Sequence, residues 1–436
     1  MSGSERSKAA LLLGSCVGTS IEWYDYYVFG SASALVFGSL FFPSFSEVAG
    51  TLAAFGTFAV GFIARPLGGA VIGHFGDRLG RKAMLVLTLM MAGVSTFLIG
   101  ILPTYAAIGV AAPVLLVLLR LVQGFGVGGE WGGAVLVATE HAPPRQRAMY
   151  GSFAQFGVPI GVLSSNLVFL IVTQLSGEHF RTWGWRLPFL FSIALLVVGM
   201  LVRRKLSESP EFRKVVDRQE VSKLPVGTLV RERPATLLLA SLLSIAPPAV
   251  GYTVMVYMLS YGTTTVKFSR NTLLTLLLLS TLVWIAAIYV AARCADRWGA
   301  KRIYAIGALS AVVWAFPLFL LVNTHNVAAA LVSFFVAAIV QGIMAGAQGG
   351  LFTQIFDIRT RFSGSSIAYQ LGGLVGGAIT PLVATALFSA YHSSTPISLY
   401  LGLLCAVSLA AVLVLRVPGG VRERAEDVAG DRTATT

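Results

Sequence analysis

Residues 73–82 read GHFGDRLGRK, and residues 292–302 read ARCADRWGAKR. Each follows a long apolar run, and their aspartates, Asp77 and Asp296, stand 219 residues apart. Two more pairs repeat at nearly that spacing. QGFGVGGEWGG (123–133) matches QGIMAGAQGGL (341–351) at 218, and AQFG (154–157) matches YQLG (369–372) at 215. Glycine-rich helices are common in membrane proteins, but they do not explain the Asp-Arg and Gln-Gly pairs recurring in one order. The pattern is that of an internal duplication. Its halves are joined by a polar segment, Arg203 to Arg233.

The composition says what the halves are made of. Of 436 residues, 56% are hydrophobic and 12% charged. That charged fraction is about half of what a water-soluble domain carries. The mean hydropathy is +0.79. The apolar residues fall into twelve blocks of about 20, the length a helix needs to cross a bilayer core of roughly 30 Å. The spacing predicts spans near 11–36, 48–73, 84–102, 107–138, 148–174, 185–202, 235–261, 272–292, 303–322, 327–351, 363–388 and 396–416. The expected architecture is all-α: an N-terminal six-helix bundle (1–202), a linker (203–234), a C-terminal six-helix bundle (235–416) and a tail (417–436) expected to be disordered. Two parallel six-span repeats are a known transporter plan, with the substrate site between the halves near the midplane.

The net charge of +13 raises nucleic acid as a partner, and its distribution rejects it. With the N-terminus in the cytoplasm, 26 of the 32 Lys and Arg fall on cytoplasmic segments. Four fall outside (Arg181, Arg186, Lys267, Arg270), and Arg65 and Arg120 lie within spans. This positive-inside asymmetry predicts a multi-pass protein of the cell membrane, in contact with lipid, with both termini cytoplasmic. Arg6 and Lys8 before an apolar run resemble a signal peptide, but no small-residue cleavage site follows. Cys16, Cys294 and Cys405 are far apart, so neither a disulfide framework nor a metal site is expected.

The halves differ in charge. Glu22, Asp25, Arg65, Arg120 and Glu130 all lie in spans of the first half. At an offset of 218, Arg120 becomes Ala338 and Glu130 becomes Gln348. Charges at membrane depth are costly and face a bundle interior or an aqueous cavity, usually paired. They serve either as helix–helix ties or as working groups. Glu22 and Asp25 are three apart and share a helix face, at a depth comparable to Arg120. A carboxylate that trades between a dry site and a nearby arginine can pick up and release a proton. Asp25 is the favoured proton carrier and Glu22 the other choice, their titrations being coupled. Two roles stay open for Arg65: pairing with Glu130, or binding an anionic substrate. Gln123, Gln155, Gln348, Tyr369, Gln370 and Tyr252 are intramembrane hydrogen-bonding groups that either line a cavity or tie helices.

In GHFGDRLGRK, Gly73, Gly76 and Gly80 suit a tight cytoplasmic loop, with Asp77 as an acceptor and Arg78, Arg81 and Lys82 at the headgroups. The G-x-G-x-G of span four has no preceding strand, so it reads as helix packing rather than a nucleotide loop. No catalytic arrangement occurs, and the five histidines sit near span ends or in loops.

GTSIEWYDYYVFG, FAVGFIARPLGG, GHFGDRLGRK, RLVQGFGVGGEWGGAVLVATEHAPP and WGWRLPFLFS together resemble the metabolite:proton symporter family of the major facilitator superfamily. That family includes bacterial shikimate, α-ketoglutarate, citrate and proline/betaine carriers. The resemblance covers nearly the whole chain. It implies a monomeric carrier, with no enzyme activity and no cofactor beyond the proton gradient, that imports a small polar metabolite with protons. By this resemblance Gly73, Asp77, Arg78, Gly80, Arg81 and Lys82 match a loop motif that steadies closure on the cytoplasmic side, and Asp296 and Arg297 match its second copy, where Ala300 replaces an expected basic residue. Arg120, Gly124 and Gly128 match a span-four motif linked to proton transfer, and Asp25 matches an acid that pairs with that arginine. GVPIG (157–161) only partly matches an exporter motif, which favours symport. The expected cargo is an organic anion. A zwitterion such as proline or betaine is the alternative, followed by a drug–proton antiporter and a transport-dead receptor.

Overall fold

The computed structural model describes residues 3–79, 81–128, 146–205, 233–356 and 361–416 with a few single positions between, and the side chains of these outside 3–15, 70, 73–85, 202–205 and 361–363. All regular structure among them is helical. We label α1 (Gly3–Ala32), α2 (Glu47–Leu79), α3 (Arg81–Ile101), α4 (Ala111–Val127), α5 (Arg147–Ser176), α6 (Leu187–Lys205), α7 (Pro234–Thr264), α8 (Arg270–Trp298), α9 (Ala300–Val322), α10 (Val327–Ile355), α11 (Gly364–Tyr391) and α12 (Thr395–Val414). Among the described residues nine helices are long and apolar enough to cross a membrane, and Val86–Ile101 and Ala111–Val127 are shorter stretches of the same kind. The linker from 206 to 230 and the tail from 417 lie outside the described residues.

The sequence reads residues 73–82 as a loop, and the structure does not: α2 continues to Leu79 and α3 starts at Arg81. Gly80 and the side chains of Gly73, Asp77, Arg78, Arg81 and Lys82 lie outside the described residues. The matched stretch behaves alike. Between α8 and α9 only Gly299 is non-helical, at φ +94, a conformation that favours glycine. Both helices outrun their apolar blocks because helical hydrogen bonds are internal and persist where polar side chains begin.

Neighbours in the first half pair closely, α1 with α5, α2 with α4, and α3 with α4 and α6; in the second half α8 pairs with α10, α9 with α10 and α12, and α7 with α11 and α12. Across the halves α5 meets α8 and α10, α2 meets α11, and α1 meets α7. Glycine sets the closest approaches. A Cβ on Gly124 would overlap the Gly61 carbonyl, one on Gly68 the Phe125 carbonyl, and one on Gly128 the Arg65 carbonyl. The G-x-G-x-G of span four is thus a packing seam between α2 and α4.

A local irregularity recurs at nearly the spacing of the sequence matches. α1 passes into a π turn at Ser33–Phe37, and α7 contains one at Thr253–Tyr257, 220 residues later. A further break in α7, at Ser244–Ile245, precedes Pro247 and Pro248, which supply no N–H to the helix. Neighbouring helices satisfy the freed carbonyls. The Tyr304 hydroxyl of α9 donates to Leu243 O, and Ser408 Oγ of α12 donates to Leu242 O at 2.8 Å while accepting from Ala246 N at 2.9 Å. Irregular backbone inside a membrane protein needs such partners.

The two ends of the bundle differ. At one, Asp296 of α8 meets α5, and Lys301 of α9 donates to Leu413 O and Leu415 O. At the other, a cavity of about 770 Å³ lies between the halves, lined in part by Glu47, Arg181, Lys267 and Arg270. The 29 residues of α8 separate these faces by roughly 43 Å at 1.5 Å per residue. Gly124→Val, which drives two methyls into the Gly61 backbone, is expected to lower stability by about 1–3 kcal/mol and shift the thermal transition of the purified protein downward; an unchanged transition contradicts the seam.

Candidate functional site

Glu22, Asp25, Tyr26 and Phe29 follow helical spacing, so they share one face of α1. Phe58, Phe62 and Arg65 do the same on α2, and α4 adds Arg120. All are buried. Both arginines bear on one ring: Arg65 Cζ is 3.8 Å and Arg120 Cζ 4.1 Å from the centroid of Tyr26. Arg65 also lies over Phe62 at 4.3 Å and Trp23 at 5.5 Å. Arg120 lies over Phe29 at 4.2 Å and Phe58 at 5.1 Å. From the second half, Tyr252 of α7 stacks on Tyr27 at 5.4 Å and 9° and meets Phe58 and Phe62 edge-on.

Glycine makes the room. An ideal Cβ on Gly61 would stand 2.6 Å from Arg120 Nε and 3.0 Å from its Cζ. Arg120 Nη1 donates to Gln123 Oε1, and Gln123 Nε2 donates to Thr96 Oγ1 at 2.7 Å. Gln123 therefore orients the arginine and ties α4 to α3. The fork is not fully used: Nε and Nη2 of both Arg65 and Arg120 are buried without a hydrogen-bond partner, as is the hydroxyl of Tyr252, while Asp25 lies within reach of Thr96 and the Tyr26 hydroxyl within reach of Arg65. Asp25 lies in the electrostatic field of Arg120, and Arg65 in that of Glu22. The Asp25–Arg120 pair implied by the resemblance is not closed by hydrogen bonds here.

The chemistry follows from magnitudes. A cation–π contact returns about 0.5–2 kcal/mol, whereas taking an ion out of water costs several kcal/mol. Rings alone do not offset two guanidinia. Their unused N–H groups suit an acceptor that takes two at once, as a carboxylate does. No group of three or more His, Cys, Asp or Glu among the described residues is placed to hold a metal ion.

The glutamines have other positions. Gln155 Nε2 of α5 donates to Gln348 Oε1 of α10 at 2.9 Å, and Gln370 Nε2 of α11 donates to Gly128 O at 3.2 Å. Each bond joins the two halves, and Gln348 Nε2 and Gln370 Oε1 stay unpartnered. Tyr369 is half-buried, within the field of Arg65 and Glu22. Glu130 lies outside the described residues. Asp296 accepts from Ala148 N at 2.8 Å and Met149 N at 3.1 Å. A carboxylate of the second half thus caps the first turn of α5, where Gln146 provides no side-chain cap. Arg297 is exposed at the end of α8. Sequence reasoning missed the rings, Thr96 and Gly61. The rings had a signal: Phe58 and Phe62 precede Arg65 by seven and three residues, and Tyr26 directly follows Asp25.

The sequence profile described as Major Facilitator Superfamily matches residues 15–376, and the chain belongs to this superfamily of transporters. It is 40% identical over 421 residues to the Shikimate transporter of Escherichia coli (strain K12), covering 95% of this chain and 96% of that one. It is 38% identical over 416 residues to the Inner membrane metabolite transport protein YhjE of the same organism, covering 94% of each. To the Glycine betaine/proline/ectoine/pipecolic acid transporter OusA of Dickeya dadantii (strain 3937) it is 31% identical over 415 residues, 93% of this chain and 82% of that protein. The crystal structure of D-xylose-proton symporter superposes with a TM-score of 0.72 over 93% of this chain and 96% of that chain, at 21% identity, a likeness of fold. The family resemblance read from the motifs holds: the chain is a membrane transporter of the metabolite-carrier kind, not an enzyme.

At the Asp296 face the halves meet tightly, since a Cβ on Gly151 would stand 3.3 Å from the Gly349 backbone. Removing the cap should loosen that face. Asp296→Ala is expected to cost about 0.5–2 kcal/mol. The alkylation rate of Thr353→Cys, a buried position on α10, should then rise roughly 2- to 30-fold; an unchanged rate would show that the cap does not hold the seam.

Proposed function

We propose that the protein is a proton-coupled symporter that imports a small organic anion by alternating access. The observation that carries this is the convergence on Tyr26 of two buried arginines with unpartnered N–H groups, together with a buried Asp25 in the field of Arg120. Arg65 takes the substrate carboxylate. Asp25, with Glu22 as its neighbour, carries the proton, and Arg120 is the partner that Asp25 gains or loses. A protonated Asp25 leaves two positive guanidinia for one anion, and its deprotonation restores an internal counter-charge that competes with the cargo. Substrate and proton thus favour being loaded together.

The frame is twelve spans in two six-helix bundles, 1–202 and 235–416, in the cell membrane with both termini cytoplasmic. In that orientation the Asp296 face is cytoplasmic and closed, and the 770 Å³ cavity faces outward. The relative named Shikimate transporter supports an anionic cargo. A zwitterion is the second reading, favoured by the rings around Arg65, because aromatic faces also suit a quaternary ammonium.

Uptake of labelled shikimate, α-ketoglutarate, proline and glycine betaine into vesicles, with and without an inward proton gradient, separates these readings. Accumulation of an acid that ignores the gradient overturns proton coupling. Asp25→Asn should abolish accumulation against a gradient while leaving exchange largely intact. Full active uptake in that variant would remove Asp25 from the proton path. Arg65→Gln should raise the apparent KM for an anion by roughly tenfold or more, the loss of one charge-assisted hydrogen bond of about 1.5–3 kcal/mol; an unchanged KM returns Arg65 to a structural tie.

A further inference from the structure

The cavity of about 770 Å³ is lined by neither of the central arginines nor by the rings against them. Its size falls in the range of about 300–1,000 Å³ typical of small-molecule sites. One wall comes from the first half, with Ser39, Glu47 and Arg181, and the other from the second half, with Thr264, Lys267 and Arg270. Three cations therefore face one acid. Of the four basic residues that the sequence sends to this face, three line the cavity, while the fourth, Arg186, is committed to Gly100 O and Leu102 O at 2.8 and 2.7 Å.

The Arg270 side chain and the backbone at Lys267 are held in place. The Arg270 guanidinium sits 4.2 Å from the centroid of Phe180, a ring of the opposite half, and its Nε is buried without a hydrogen-bond partner. It lies within electrostatic reach of Arg181. Lys267 has φ 64, a left-handed conformation that is costly for a side chain with a Cβ. The turn is held there on both sides: Phe268 N donates to Gly262 O at 2.9 Å, and His325 Nδ1 lies 3.0 Å from Val266 O. Strain that persists in this way marks a residue whose position is over-determined by its surroundings.

We propose that this cavity is an outer anion site, taking a small carboxylate or phosphate-bearing molecule from solution before it reaches the centre. Arg181 on one wall and Lys267 and Arg270 on the other repel as the walls approach. An anion between them removes that repulsion, so occupancy favours closure of this face, and low-dielectric walls focus the field at the mouth. The site needs neither the central arginines nor proton coupling.

Its test reads potential and occupancy directly. Thr264→Cys, exposed on the cavity wall, is labelled in purified protein with anionic methanethiosulfonate ethylsulfonate or its cationic trimethylammonium counterpart, and modification is read by mass spectrometry of the peptide containing position 264. The anionic-to-cationic rate ratio should exceed that of free cysteine by roughly tenfold. It should fall to the free value on adding Arg181→Gln, Lys267→Gln and Arg270→Gln, and rise on adding Glu47→Gln, which keeps the test readable if the triple variant fails to fold. Millimolar succinate or inorganic phosphate should slow labelling in protein that retains the three cations. A ratio equal to that of free cysteine, or one that ignores these substitutions, overturns the site. Protection that appears only in nanodiscs containing phosphatidylglycerol, with no effect of succinate or phosphate, assigns the cavity to a lipid headgroup and overturns its role for a solute.

Discussion

The molecule is organised around the burial of two guanidinium groups against aromatic rings. Arg65 and Arg120 are each almost wholly removed from solvent, and aromatic rings lie against both. Rings stabilise a cation without neutralising it, so the positive charge stays available to something else. A hydrogen-bonded carboxylate in the same place would have made a tie that needs nothing further. The rings hold the arginines in position while leaving Nε and Nη2 of each without a hydrogen-bond partner.

Holding long cationic side chains at such depth constrains the backbone. Gly61 carries no Cβ because Arg120 lies where it would be, and Gly124 lets α4 approach α2 to backbone contact. Gln123 uses its two ends differently, accepting from Arg120 and donating to Thr96. On the opposite side Gly377 leaves room for the Tyr252 ring, which its Cβ would otherwise meet at 2.8 Å. The irregular course of α7 belongs to the same picture. The break before Pro247 and the π turn at Thr253–Tyr257 flank the segment that carries Tyr252 to the rings of α1 and α2. Tyr304 and Ser408 supply the bonds that this irregular backbone lacks.

Much of this was legible in the sequence. The duplication could be read from Asp77 and Asp296, and the concentration of buried charge in the first half from Arg120 facing Ala338 across the repeat. Those features survive because they depend on composition and spacing. The partners of the charges were not legible, because they depend on rotamers and on which helix faces which. Gln123 was left open between lining a cavity and tying helices, and its bonds run to Arg120 and Thr96. Gln155 and Gln348 were read separately and turn out to bond each other across the halves. The loop read at residues 73–82 failed for a simpler reason. Glycine and charge mark the end of an apolar block, but a helix ends only when its backbone leaves helical geometry, as it does at Gly299.

The two faces oppose each other electrostatically. At one, the negative side chain of Asp296 meets the N-terminal amides of α5, an attraction between the halves that brings the backbone at Gly151 and Gly349 together. At the other, Arg181 of the first half and Lys267 and Arg270 of the second line one cavity, with Arg181 in electrostatic reach of Arg270, so like charges face each other across it. A pair of rigid groups hinged near the rings of Tyr27 and Tyr252 would, with no ligand, rest closed at the attractive end and open at the repulsive one. Reversal then needs an agent that cancels the repulsion and, at the far end, outweighs a cap worth about 0.5–2 kcal/mol. In the proposed reading, an anion passing from the cations at the mouth to the arginines at the centre does the first on entry. The second is within reach because the opposing cap is a single carboxylate on two amides.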